Sequence, residues 1–185
     1  MRDPPDPTVD VSNFFARSHL SKLRSLTLHG NFGISSWDFL APRTTLLTTL
    51  SLDISPFPLS PTLTTSQLFS IFTSNPNLRK LQLFNSALPN DTDTSTLKVQ
   101  LRDLKSLSLR GELHHVFGLY GRLILPEALD EVCLDISDTL EEDKPTIVQY
   151  IRDYLRHDPR FRYGPTLAFS RPHNLIKVSN EFQAF

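Results

Sequence analysis

The spacing Leu-x-x-Leu-x-Leu recurs five times along the chain, at Leu23/Leu26/Leu28, Leu47/Leu50/Leu52, Leu78/Leu81/Leu83, Leu104/Leu107/Leu109 and, with one Val, at Leu129/Val132/Leu134. Side chains alternate across a strand, so the last two apolar positions of each copy share one face. The residues between and after them share the other. A single short strand of this kind cannot bury its own apolar side, and the repeat makes physical sense only where copies stack on each other.

The middle consensus residues, Leu26, Leu50, Leu81, Leu107 and Val132, are separated by 24, 31, 26 and 25 residues. Most of these intervals fall within the roughly 20–29 residues of leucine-rich repeats. The copies also match in detail. Leu23-Arg24-Ser25-Leu26-Thr27-Leu28 aligns with Leu104-Lys105-Ser106-Leu107-Ser108-Leu109, and Gly30 and Gly111 stand at the same place after them. The second and fifth copies share Leu-Asp-Ile-Ser, at Leu52 to Ser55 and Leu134 to Ser137. Duplication accounts for this more simply than five unrelated strands. The fold expected is α/β, a leucine-rich-repeat-like solenoid of about five short parallel strands, with irregular loops and short helices outside and a C-terminal capping helix and hairpin.

Composition agrees with a repeat. Thirty-one of 185 residues are Leu against one Trp and one Met, so the apolar content comes largely from one residue placed at intervals. A chain of this length fits a single domain that buries roughly 70% of the surface its unfolded form exposes. Three regions are expected: a disordered Pro-rich start over 1–11, degenerate repeats over 12–138, and a C-terminal cap over 139–185. In the cap, a helix is expected over about 145–157 and strands over about 166–170 and 174–178. The helix would carry Ile147, Ile151, Tyr154 and Leu155 on one side.

Three residues after the last consensus position, such repeats usually carry an Asn whose amide bonds the next unit. Here the residues are Asn31, Ser55, Ser86, Glu112 and Ser137, so shorter hydroxyls replace most amides and irregular loops are expected. Outer-face helices are read at about Ser66 to Phe72, closed by Asn75-Pro76, with weaker candidates at Asn13 to Arg17, Trp37 to Leu40 and His115 to Tyr120. The Pro- and Thr-rich stretch Ser55 to Thr65 reads as an extended loop and accounts for the long interval of 31.

Charge and motifs narrow the function. Nineteen Lys and Arg against 20 Asp and Glu give a net charge of −1, which removes the electrostatic case for nucleic acid or an anionic membrane as partner. The sequence offers no apolar run of membrane-spanning length and no secretory leader pattern, so a cytoplasmic or nuclear chain is expected. Cys133 is the only cysteine, which excludes an intrachain disulfide. No nucleophile elbow, P-loop or dinucleotide-binding glycine pattern occurs, and we expect neither an enzyme nor a cofactor. Glu112, His114 and His115 form the best metal candidate, but neighbouring side chains diverge on a regular strand or helix, and no metal site is expected there. Glu141-Glu142-Asp143 precedes a helix, where acids meet the N-terminal dipole favourably.

If the repeat reading holds, the concave side is lined by the residues between and after the consensus positions. The larger and charged ones among them, His29, Asp53, Lys80, Gln82, Phe84, Arg110, Glu131 and Asp135, are the candidate binding face. Phe84 stands out as a large aromatic at an outward position of the middle copy, either the kind of residue that anchors an interface or one that packs beneath the following loop.

The degraded repeats, the turn and strand Asn75-Pro76-Asn77-Leu78-Arg79-Lys80-Leu81-Gln82-Leu83, and the terminal helix plus hairpin together resemble the leucine-rich-repeat region of fungal F-box proteins, over roughly residues 12–180. That resemblance implies a protein-protein interaction module, the substrate-recognition half of a ubiquitin-ligase subunit. Complete relatives carry an F-box ahead of the repeats, which docks on the Skp adaptor. Here Met1 to Val11 holds Pro4, Pro5 and Pro7, which forbid a continuous helix, so the F-box is expected to be absent. The expected partners are therefore proteins, with the Skp adaptor bound only if an F-box is supplied upstream. The chain is expected to be a monomer. A free-standing repeat scaffold or a truncated fragment with no ligase role is the alternative.

Overall fold

The computed structural model describes residues 11–16, 20–30, 34, 36–38, 40, 44–54, 62–85, 87–89, 97–127, 129–137, 144–156, 158, 166–170 and 175–179, the last two segments as backbone. In chain order the elements are α1 (Val11–Ala16), β1 (Ser25–Gly30), β2 (Thr49–Ile54), α2 (Thr65–Ser74), β3 (Lys80–Asn85), β4 (Val99–Gln100) and β5 (Ser106–Gly111). Then follow α3 (Leu113–Tyr120), β6 (Leu123–Ile124), β7 (Glu131–Ile136), α4 (Lys144–Leu155), β8 (Thr166–Ser170) and β9 (Leu175–Ser179). Of the disordered start expected over 1–11, residues 1–10 lie outside the described residues and Val11 instead begins α1; Asn31, Ser55, Ser86 and most of the Ser55 to Thr65 stretch also lie outside them.

The five copies of the leucine spacing are five parallel strands of one sheet, ordered β1-β2-β3-β5-β7, with β9 and β8 added antiparallel beyond β7. The register follows the repeat residue for residue. Leu26, Leu50, Leu81, Leu107 and Val132 form one row across the sheet. Leu28, Leu52, Leu83, Leu109 and Leu134 form the next inward row, and all ten side chains are buried. A slip of one residue on any strand would turn its pair of leucines to the other face, and at roughly 1.5–3 kcal/mol per buried side chain the register is strongly held.

The turns into β2, β3, β5 and β7 are built the same way. The carbonyl of Arg24 accepts from the N–H groups of both Thr48 and Thr49, that of Thr48 from Arg79 and Lys80, that of Arg79 from Lys105 and Ser106, and that of Lys105 from Asp130 and Glu131. Four successive junctions thus repeat one two-donor pattern, which satisfies backbone groups that the ladder proper leaves over. In a separate two-stranded sheet β4 and β6 pair in parallel, Val99 with Leu123 and Gln100 with Ile124, so the units that end in β5 and β7 are matched at two places.

Helix α2 begins at Thr65, one residue before the expected start, because Thr64 and Gln67 form a capping box in which the Thr64 hydroxyl accepts from the Gln67 N–H. Its Leu68, Ile71 and Phe72 join the leucine core. Trp37 and Leu40 are buried as well, but the helix expected there is not formed among the described residues. The Leu40 N–H donates to the Trp37 carbonyl and the Thr44 N–H to the Leu40 carbonyl. In α4, Ile151 and Leu155 are buried and Ile147 packs against the core, while Tyr150 and Tyr154 remain partly exposed. No helix among the described residues is long and apolar enough to cross a membrane.

Candidate functional site

Opposite the leucine rows, register assembles three outward rows. The first holds Ser25, Thr49, Lys80, Ser106 and Glu131, the second Thr27, Ser51, Gln82, Ser108 and Cys133, and the third His29, Asp53, Phe84, Arg110 and Asp135. The sequence candidates are therefore not spread evenly over the face. Five of them, His29, Asp53, Phe84, Arg110 and Asp135, share the third row, at the C-terminal end of the strands.

Within that row neighbours interact across strands, the sheet counterpart of side-chain pairing along a helix. His29 Nδ1 lies 2.8 Å from Asp53 Oδ2. The Arg110 guanidinium carbon stands 4.9 Å above the centroid of the Phe84 ring, within the range where the ring's negative face attracts a cation. The same guanidinium donates through Nε at 3.1 Å and Nη2 at 3.0 Å to Asp135 Oδ2. Asp135 Oδ1 in turn accepts from Cys133 Sγ at 3.4 Å. Phe84, Arg110 and Asp135 are thus one connected unit across three strands, and Cys133 is a link in it.

The row differs from the sequence expectation at one end. Asp135 was expected on the open face, yet its side chain is 6% exposed against 42% for Arg110. Its carboxylate holds the guanidinium in place and offers little surface of its own. The exposed part of this unit is the half-buried Phe84 ring with Arg110 laid over it. In the first row Lys80 is exposed, and Glu131 accepts from the Ser106 hydroxyl at 2.7 Å. Gln82 is half-buried in the middle row between Ser51 and Ser108.

Sequence reasoning missed one polar device and set another aside. Asn75, read as a helix terminator, is 1% exposed and ties the third unit to the second. Its Nδ2 donates to the Ile71 carbonyl at 2.8 Å and to Thr44 Oγ1 at 3.1 Å, and its Oδ1 accepts from the Leu47 N–H at 2.9 Å. This is the bridging task expected of an Asn after the strand, performed from the turn before it. The other is the group Glu112, His114 and His115. Glu112 is the N-cap of α3 and so lies outside the regular helix, and its side chain turns back over the first helical turn. The divergence expected of these side chains does not occur: their ligand atoms all lie within 4.8 Å of one another. Burial and the neighbouring His114 hold His115 below the ordinary histidine value, against the opposing pull of Glu112.

Compared with protein-family models, with curated proteins and with solved structures, the chain matches none of them.

Proposed function

We propose that the chain is a protein-binding module, a leucine-rich-repeat-like solenoid whose working surface is the outward face of its five parallel strands. The observation that carries this reading is the third row, where Arg110 is stacked on Phe84 and fixed by Asp135. An aromatic and an arginine held in one geometry lose little side-chain entropy on binding, and these residue types dominate interface energetics. The solenoid form is supported by the four repeated turn junctions and by the second ladder between β4 and β6. The resemblance to the repeat region of fungal F-box proteins adds a setting, recognition of a substrate for ubiquitination.

Phe84→Ala is the cleanest probe. Arg110→Ala would leave the buried Asp135 carboxylate without its guanidinium, a cost in folding that confounds a loss of binding. Proximity labelling in cells with the wild-type chain, with Phe84→Ala and with an outer-surface control, Glu127→Ala, tests the reading. The proposal expects a set of proteins labelled by the wild type and by Glu127→Ala but lost from Phe84→Ala. Equal labelling by all three would refute it. Retention of the purified Skp adaptor by the chain would favour the ligase setting, and no retention would favour a free-standing scaffold.

A further inference from the structure

A different part of the chain carries a second inference, independent of the partner-binding reading. Directly after β5, the Glu112 carboxylate, the His114 imidazole and the His115 imidazole converge at the start of α3. His114 Nε2 lies 3.5 Å and His115 Nδ1 4.0 Å from the same oxygen, Glu112 Oε2. The two rings stand with centroids 3.9 Å apart at an interplanar angle of 51°. From these observations we infer that Glu112, His114 and His115 form a Zn(II) site with two nitrogen ligands and one oxygen ligand.

The physical grounds are distance, donor type and freedom to move. Donors bound at about 2.0–2.2 Å around a tetrahedral Zn(II) stand about 3.3 Å apart, so two of the three separations are within small rotamer adjustments of the bound arrangement. Imidazole nitrogen with a carboxylate oxygen suits Zn(II), as it does other late first-row divalent metals, whereas Mg(II) and Ca(II) favour oxygen throughout. The Glu112 side chain makes no capping hydrogen bond to the helix, so binding metal costs the fold no such bond. His114 and Glu112 are 70% and 52% exposed, which leaves a path for the ion and an open fourth position for water. The positive end of the α3 dipole opposes a cation here, and the Glu112 charge offsets it.

The test is titration of the metal-free full chain with Zn(II) against a competing indicator dye, for the wild type, His115→Gln and Glu112→Gln. The site predicts one equivalent bound by the wild type and an affinity at least about tenfold weaker in each variant. It also predicts that Zn(II) shifts the imidazole resonances of His114 and His115 together in the wild-type chain, a readout that does not depend on the variants folding. Absence of stoichiometric binding would overturn the inference. So would equal affinity in the variants, or shifts confined to other histidines.

Discussion

At the scale of the residue, one repeat position shows how the same sequence feature serves different physical ends. The last residue of each parallel strand is Gly30, Ile54, Asn85, Gly111 or Ile136. Gly30 has φ 113° and Asn85 φ 53°, the left-handed region where glycine and asparagine carry least strain. Ile54 and Ile136 instead turn inward and are buried. At Gly111 space is the constraint: a Cβ there would come within 2.7 Å of Leu88 Cδ1, and Leu88 is itself 2% exposed. Gly111→Ala should lower stability by about 1–3 kcal/mol through overpacking. Gly118, in the exposed part of α3, has nothing within 4 Å of the added carbon, so Gly118→Ala should raise stability by about 0.5–1 kcal/mol. Urea denaturation of the two variants should move their midpoints in opposite directions. Asn75→Ala removes three hydrogen bonds and leaves the Leu47 N–H buried without its acceptor, a loss of about 2–3 kcal/mol in the same measurement. The leucine rows were legible in the sequence because burial there follows a period. Asn75 was not, because its partners Leu47 and Thr44 lie 28 and 31 residues away and an Asn before Pro reads locally as a helix end.

At the scale of the element, legibility depended on whether a local rule or a distant partner set the boundary. The start of α2 follows a local rule, the Thr64–Gln67 capping box. The Glu112, His114 and His115 group was misread for the opposite reason: spacing rules for regular helices do not apply to a residue at the cap. Helix α4 meets α3 through rings. Phe117 stands edge-on to Tyr154 at 4.8 Å and to Tyr150 at 5.8 Å, and Tyr120 Oη donates to Asp158 Oδ2 at 2.6 Å. Burial in this contact, then the neighbouring Tyr150 and Asp158, push the Tyr154 phenol above its ordinary value of 10.0. The folded chain therefore holds this proton more tightly than the unfolded one. Its contribution to stability is whole below pH 10 and is lost as pH rises from there through the folded value. Ultraviolet titration of tyrosinate in the wild type and in Tyr154→Phe should differ by one late-ionising group.

At the scale of the whole molecule, the sequence period sets the sheet register. The intervals of 24, 31, 26 and 25 between consensus residues are the offsets between paired residues, Leu26 with Leu50, Leu50 with Leu81, Leu81 with Leu107 and Leu107 with Val132. Parallel pairing needs a long crossover between strands, and the variable lengths of these crossovers leave the inner rows undisturbed. That is why the candidate face could be written residue by residue from sequence, while its grouping into a connected Phe84, Arg110 and Asp135 unit could not. The grouping depends on which outward side chains are long enough to reach across a strand and on the burial of Asp135 on β7, where β9 pairs alongside. Inter-strand nuclear Overhauser effects on the isotope-labelled chain test this register directly. Parallel-ladder contacts are expected to link the backbones around Leu50 and Leu81 and around Leu81 and Leu107, with Phe84 ring protons close to the Arg110 side chain. Antiparallel contact patterns between these strands, or pairing shifted by a residue, would contradict it.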